Sequence, residues 1–391
     1  MSKSMIFLMD GTGSDATYDL FSNVYSLNQI IGESKKHTIG RTYHHKSQVT
    51  FYLPGIGTRF TVSRLIRKSG FFWITEKVRE NVFGDNLEQL VIRAYVNLCA
   101  NYRPGDDIIL VGFSRGAAAA RILSRFISDF GILRSEMLIH LDSLWNEFTT
   151  ISRLVDDNDY RSEIAKLKAE LAGSYGEKRP VFHQLKANEM PIKFMGLFDT
   201  VVGPKDNELY LDLKFRDLVP ASGVQAIVHL MSMHDMREEF ILQRFQLGTN
   251  GGISGQKVRE IWVPGVHSDV GGGYEENFVS NVCLLSMSDM LAKYGGVALD
   301  RSGYQRVVSQ IKAKRRENRI VVNPEPFVPQ KKSRSHMVHV GDEFHPLHLY
   351  LLKKFVVWKH SSNTERYRDD FENLKYVTDA DLRETFRAWI R

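Results

Sequence analysis

Ser114 stands in the pentapeptide Gly112-Phe113-Ser114-Arg115-Gly116, directly behind the apolar run Ile108-Ile109-Leu110-Val111 and directly ahead of the alanine-rich stretch from Ala117 to Leu123. Strand, sharp turn and helix in that order make a nucleophile elbow, which presents a serine hydroxyl at the carboxyl end of a sheet. Glycines on either side suit so tight a turn, because they reach strained dihedrals and let strand and helix approach. A serine nucleophile needs a base, and the base needs an acid to orient it. Asp199 closes the apolar run Phe194-Met195-Gly196-Leu197-Phe198, and His267 closes Ile261-Trp262-Val263-Pro264-Gly265-Val266. The chain order Ser, Asp, His is the one this elbow predicts, with all three at one sheet edge. The chemistry would be acyl transfer: Ser114 attacks an acyl carbon, His267 moves the proton, and Asp199 fixes the imidazole tautomer. The developing oxyanion needs two preorganised N–H donors. The expected donors are the backbone N–H of Arg115 and one from the loop Gly11-Thr12-Gly13, with Gly11 and Thr12 as candidates.

Each of these residues also has a structural reading. An aspartate at a strand end commonly caps a turn, and a single histidine is commonly a satisfied core residue. His229, His234, His345 and His348 compete with His267, and Asp269 competes with Asp199, although two residues is an awkward separation for pairing with His267. Arg115 reads as a brace for the elbow, its guanidinium paired with a carboxylate, in preference to a substrate clamp. Gly271-Gly272-Gly273 lacks a following lysine and so makes no phosphate loop; it reads as a flexible loop beside the site.

The elements that must position these residues are short apolar runs, each ending in a turn containing glycine or aspartate: Met5–Met9, Val49–Leu53, Ile108–Phe113, Ile192–Phe198 and Glu260–Val266. Leu87, Leu90, Val91, Ala94, Tyr95 and Leu98 recur at helical spacing behind the capping candidates Asp85 and Asn86. This alternation predicts an α/β fold with a mostly parallel sheet and flanking helices. The charged, helix-prone stretch from Arg134 to Arg179 predicts a helical insertion, bounded at about residue 190 by the next core strand.

With 391 residues and 43% hydrophobic content the chain can bury a sizeable core, as one large domain with insertions or as two. Cys99 and Cys283 are far apart in apolar segments and read as reduced core residues, which leaves no disulfide framework or cysteine zinc site. A net charge of +6 selects no partner by itself, since nucleic acid and an anionic lipid surface both suit it. No apolar run reaches the length of a membrane span, and the apolar run at Met5–Met9 is too short for a signal peptide.

A family resemblance rests on blocks that occur in order along the chain. They are Met9-Asp10-Gly11-Thr12, Tyr52-Leu53-Pro54-Gly55-Ile56-Gly57-Thr58, Ala94-Tyr95, Asn101-Tyr102-Arg103-Pro104-Gly105-Asp106, the elbow through Arg121, Leu197-Phe198-Asp199-Thr200-Val201, and the run from Trp262 to Tyr274. Together they resemble the catalytic domain of type VI secretion phospholipase effectors, over residues 5 to 275, with Pro264–Tyr274 the most specific block. The resemblance implies an α/β-hydrolase fold, a lipid ester substrate and a Ser-Asp-His triad, with Ser114, Asp199 and His267 on the matching motif positions; a serine hydrolase of this kind is expected to need no cofactor or metal. It also implies a secretion or immunity partner. The segment His229–Arg237 is only loosely similar to the family's corresponding block, and its role stays open.

On this reading residues 1–300 form an α/β-hydrolase catalytic domain and residues 301–391 a C-terminal extension packed on it. Arg64, Arg67 and Lys68 precede Phe71-Phe72-Trp73-Ile74, a basic and aromatic stretch that suits contact with an anionic lipid surface and a lid; a core helix is its structural alternative. A second basic stretch, Lys312 to Arg316 with Lys331-Lys332, reads as a solvated face, and nucleic-acid binding there lacks interleaved aromatics. The expected place is the cytoplasm of the producing cell, with peripheral membrane association or export without a cleaved signal peptide. The function expected is a serine carboxylic-ester hydrolase, a phospholipase A acting through an acyl-enzyme. The alternatives are an esterase or thioesterase for soluble acyl substrates, and a non-enzymatic interaction module of hydrolase ancestry.

Overall fold

The computed structural model describes residues 2–14, 20–39, 42–56, 85–151, 156–176, 179–185, 190–202, 218–235, 237, 240–247, 255–317, 320–322, 334–352, 354–358, 364–367 and 377–391. Arg64, Arg67, Lys68, Phe71, Phe72 and Trp73, and the pair Lys331-Lys332, lie outside the described residues.

The described strands of the main sheet are β1 (Ser4–Met9), β2 (Ser34–Ile39), β3 (Thr42–Leu53), β4 (Asp107–Phe113), β5 (Ile192–Phe198), β6 (Ala226–Ser232) and β7 (Lys257–Val263), joined at one edge by the two-residue strand Glu343–Phe344. Their order is β2-β3-β1-β4-β5-β6-β7 and then Glu343–Phe344. The β2–β3 pair is antiparallel and the other pairs are parallel. The fold is therefore the expected α/β architecture: a mostly parallel sheet with flanking helices.

Period-two alternation explains why the sheet is covered on both faces. Met5, Phe7 and Met9 of β1 and Ile108 and Leu110 of β4 enter one core, with the helices Asp85–Asn101, Arg115–Phe130 and Leu141–Ile151. Ile6, Leu8, Ile109, Val111 and Phe113 enter the opposite core, with the helices Phe278–Met290, Arg301–Arg316 and Ala380–Ile390. Ala117–Ala120 are fully buried, and these small side chains let the helix Arg115–Phe130 lie close against β1 and β4.

Between β4 and β5 the chain forms helices at Leu141–Ile151 and Asp157–Gly173. Past Met290 it adds the helix Arg301–Arg316, a small sheet of Val321–Val322, Phe355–Trp358 and Thr364–Arg366, and the terminal helix Ala380–Ile390. Several strands differ from the sequence reading: the strand expected at Val49–Leu53 starts at Thr42, and β2 is absent from that reading. The strand expected at Glu260–Val266 runs instead over Lys257–Val263, because Pro264 lacks a ladder donor and Gly265 turns the chain at φ 102°. β6, centred on His229, was not anticipated, since a histidine interrupts its apolar run.

Parallel pairing brings the strand ends together. Met9 pairs with Gly112, Phe113 with Phe198, Phe198 with Leu230 and Ser232 with Val263. Asp10, Ser114, Asp199, Met233 and Pro264 therefore leave the sheet at the same edge, the carboxyl edge at which open α/β sheets hold their ligands.

Candidate active site

The elbow is built from its two glycines. A Cβ on Gly112 would lie 2.3 Å from Gly116 O, and one on Gly116 would lie 2.2 Å from Met9 O and 2.5 Å from Asp10 O. Only glycine allows strand, helix and the β1 loop to meet there. Ser114 between them takes φ 57° and ψ −125°, a conformation costly for a residue with a side chain. Its hydroxyl-bearing residue sits at the N-terminus of the helix Arg115–Phe130, where N–H groups and the helix dipole favour developing negative charge. Among the described residues one other non-glycine residue has a positive φ, and it is Asp199, at 42°.

These two strained residues are tied together through the backbone. Ser114 N donates to Phe198 O at 3.0 Å and Val201 N donates to Ser114 O at 3.5 Å, so the elbow is bonded to the chain on both sides of Asp199. The Asp199 carboxylate accepts from His267 Nδ1 at 2.6 Å, from Ser232 N at 2.8 Å and from Ser232 Oγ at 3.1 Å. It also accepts from Arg334 Nη1 at 2.7 Å. Burial acts to raise its pKa, but Arg334, His267 and the Ser232 N–H outweigh burial and hold the carboxyl well below the usual range. Asp199 is thus an ionised acceptor, which places the His267 proton on Nδ1 and leaves Nε2 as the basic nitrogen.

His267 starts a short helical turn, His267–Gly271, directly after the turn that follows β7. Its ring lies between Phe113, with centroids 4.6 Å apart, and Phe240, at 4.7 Å. The Phe113 contact places it beside the elbow. Burial lowers the imidazole pKa below its usual 6.5, and Asp199 and Asp235 offset this only in part, so the ring is neutral at neutral pH. A neutral, oriented imidazole packed on Phe113, the residue before Ser114, has the chemistry of a general base.

The competing residues have other partners. Asp269 Oδ2 accepts from Val266 N at 3.0 Å and caps the turn that carries His267. His229 Nε2 accepts from Thr200 N at 3.1 Å while its Nδ1 lies 3.2 Å from Glu260. His234 Nδ1 accepts from Gly265 N, His345 Nδ1 accepts from Leu347 N, and His348 Nδ1 meets Tyr367 Oη at 3.0 Å. Arg115 is buried, and burial lowers its pKa to about 10. Gly271-Gly272-Gly273 is not a free loop: Gly271 ends the helical turn and Gly272 bridges to Ser22.

At the loop after β1, a Cβ on Gly11 would lie 3.2 Å from Ser114 Cβ, so this loop abuts Ser114. Asp10 anchors that loop, accepting from Gly11 N at 2.7 Å, Ser22 Oγ at 2.7 Å and Tyr52 Oη at 2.8 Å. Gly11 N–H is therefore directed at Asp10, whereas the buried Thr12 Oγ1 has no hydrogen-bond partner among the described residues.

Three supporting residues escaped the sequence reading. Asp10 and Asp235 lay inside recognised blocks, but only folding shows that Asp235 Oδ2 accepts from His267 N at 3.1 Å while Arg237 Nη2 donates to the same oxygen at 2.6 Å. Arg334 lies near a run read as a solvated face and had no local signal. Among the described residues no group of three or more acidic, histidine or cysteine side chains is placed to hold a metal, and no helix is long and apolar enough to cross a membrane. Cys99 and Cys283 are free and buried, with burial pushing the Cys99 thiol up to about 12.

Comparison with known proteins places the chain. The uncharacterized protein YEL023C of Saccharomyces cerevisiae is 25% identical over 256 residues, covering 61% of this chain and 32% of that protein. An uncharacterized protein from Pseudomonas aeruginosa, known from its crystal structure, aligns at 18% identity and TM-score 0.38, covering 79% of this chain and 48% of that one. The Tle1 effector bound to the VgrG spike of the type VI secretion system aligns at 17% identity and TM-score 0.37, covering 71% of this chain and 52% of that one. The chain thus spans about a third of the length of the yeast relative and about half of the two solved chains. Residues 3–293 match the family described as T6SS, phospholipase effector Tle1-like, catalytic domain. The chain belongs to the Tle1-like family of type VI secretion phospholipase effector catalytic domains.

Proposed function

We propose that this chain is a serine ester hydrolase that cleaves acyl esters of membrane phospholipids. The observation that carries the proposal is the buried Asp199–His267 pair, 2.6 Å apart, set beside the elbow serine at one sheet edge. Family membership supplies the substrate class, and the net charge of +6 suits an anionic lipid surface. In the forward step His267 Nε2 accepts the Ser114 proton as Oγ bonds to the acyl carbon. The tetrahedral oxyanion is met by the Arg115 N–H at the helix N-terminus and by a donor of the β1 loop. With Gly11 N–H directed at Asp10, Thr12 is the loop donor of choice. Collapse returns the proton from His267 to the departing alcohol and leaves an acyl-enzyme on Ser114. Water, deprotonated by the same imidazole, then releases the fatty acid. Asp199 stays ionised throughout.

The stretch Arg64–Trp73 remains the proposed lipid contact, and a partner in type VI secretion is proposed from the family description alone. Mass spectrometry of products from phospholipid vesicles tests the function: the wild type releases fatty acid and lysophospholipid, and the Ser114→Ala variant does not. Release of acid from soluble esters or thioesters alone would favour the soluble-substrate alternative, and a chain that neither turns over esters nor labels with a fluorophosphonate would be a non-enzymatic module.

A further inference from the structure

Arg334 comes from beyond residue 293, where the family match ends, yet it reaches the centre of the site. It opens the single turn Arg334–Met337, and its backbone N donates to Met233 O at 3.3 Å. Its guanidinium is only 4% exposed as part of the whole residue, and Asp199 is fully buried. Nη1 donates to Asp199 Oδ1 at 2.7 Å, to Ser232 Oγ at 2.5 Å and to Ser232 O at 3.2 Å. Nη2 donates to Phe240 O at 2.6 Å. One planar group therefore joins the carboxylate to the end of β6 and to the segment whose ring covers His267.

We propose that Arg334 is a positioning residue of the hydrolytic centre, supplied by the C-terminal segment, which anchors Asp199 Oδ1 so that Oδ2 faces His267 Nδ1 and which sets the proton affinity of that imidazole. The proposal rests on the hydrolase reading above for its catalytic consequence, but the coupling of Arg334 to His267 is a property of the folded chain alone.

The physical argument has two parts. A carboxylate free to turn about its χ2 angle offers its oxygens to His267 in many orientations; Arg334 and Ser232 N both fix Oδ1 and leave one. A buried cation beside the carboxylate also offsets part of its charge, so that Asp199 stabilises the imidazolium less than it would alone. Among the described residues the other titratable groups near this pair are Asp235 and Arg237, which bond each other beside His267, Asp269 within the helical turn, His229 behind Thr200, and the buried Cys283 on the helix Phe278–Met290. None of them replaces Arg334 on Oδ1.

The test uses full-length chain carrying Arg334→Gln or Arg334→Lys. For a short soluble ester, Arg334→Gln is expected to lower kcat by about ten- to a hundredfold with KM little changed. Its kcat/KM profile should also lose activity at higher pH than the wild type on the acidic side, because the unopposed carboxylate favours the imidazolium. Arg334→Lys, which keeps the charge but not the planar fork, should restore the wild-type acidic limb and give an intermediate kcat. Histidine-resolved NMR titration of His267 reads the same shift without substrate. A folded Arg334→Gln with wild-type His267 titration and wild-type kcat overturns the proposal, since a purely structural arginine would move neither. Should Arg334→Gln not fold, Arg334→Lys with full wild-type kcat overturns it. If the wild type hydrolyses no ester while the His267 titration still moves in Arg334→Gln, the hydrolase reading fails and the coupling stands.

Discussion

Asp199 Oδ2 lies 2.6 Å from His267 Nδ1 although the two residues leave different strands, β5 and β7, with β6 between them. The bond spans the end of β6, whose last residue, Ser232, donates its N–H to the same carboxylate at 2.8 Å. Three consecutive strands thus share one buried anion. The pairing separates Asp199 from Asp269, which serves the backbone of its own turn.

Replacing Asp199 with asparagine removes the charge that orients and supports the imidazolium, and the amide presents the wrong partner to Nδ1. We expect kcat to fall by about 10²–10⁴-fold. The change also leaves the Arg334 guanidinium buried beside a neutral group, which costs about 3–5 kcal/mol. Urea unfolding should show that loss, and adding Arg334→Gln should recover part of the stability while activity stays low. With Arg334→Gln completing the double-mutant cycle, a coupling energy of zero would mean that the ion pair contributes nothing to stability.

The pH dependence follows from burial of His267. Its folded pKa lies below 6.5, so the imidazole stays neutral and able to accept a proton at pH values where an exposed histidine is already charged. The acidic limb of kcat/KM on a soluble ester should therefore fall below pH 6.5, and it should vanish as a separate feature in His267→Ala, whose residual rate is at the level set by the rest of the site. An acidic limb above 6.5 in the wild type contradicts this assignment of the base.

At the elbow, Gly116→Ala forces a methyl group to within 2.2 Å of Met9 O, and the helix or the β1 loop must move. Overpacking of this kind costs about 1–3 kcal/mol, and the shift falls on the loop that abuts Ser114. Calorimetry should show a lower Tm, and the soluble variant should lose far more activity than its stability deficit explains. An active, equally stable Gly116→Ala would remove the close-packing argument for the elbow.

Much of this was legible in the sequence because local pattern and site coincide. The runs Met5–Met9, Ile108–Phe113 and Phe194–Phe198 are buried on both faces, so they read as unbroken apolar strands with a candidate site residue next in the chain. β6 was not legible, because His229 sits in its middle and is tolerated only through Glu260 and the Thr200 N–H. The turn after β7 was misjudged because a triple glycine suggests mobility, whereas Gly272 is pinned to Ser22. Arg334 could not be found at all: nothing local distinguishes it from the neighbouring lysines, and its partner is 135 residues away. Long-range pairing leaves no periodicity to read.

For the lipid surface, the sequence places three cations ahead of an aromatic cluster. Basic residues near an anionic bilayer contribute about 1 kcal/mol each, and salt screens that term. Replacing Arg64, Arg67 and Lys68 with glutamine should weaken binding to anionic vesicles and lower vesicle hydrolysis while sparing a short soluble ester. Replacing Phe72 and Trp73 with serine tests the apolar half. Equal loss of both activities in both variants would assign the stretch to the core.

The central claim, that Ser114 is an ester-cleaving nucleophile served by His267, is tested most directly by fluorophosphonate labelling followed by peptide mass spectrometry. The wild type should carry one adduct, on Ser114, and labelling should be lost in Ser114→Ala and slowed by orders of magnitude in His267→Ala, both variants remaining folded. Absence of an adduct on the folded wild type, or labelling that persists unchanged in His267→Ala, would contradict it.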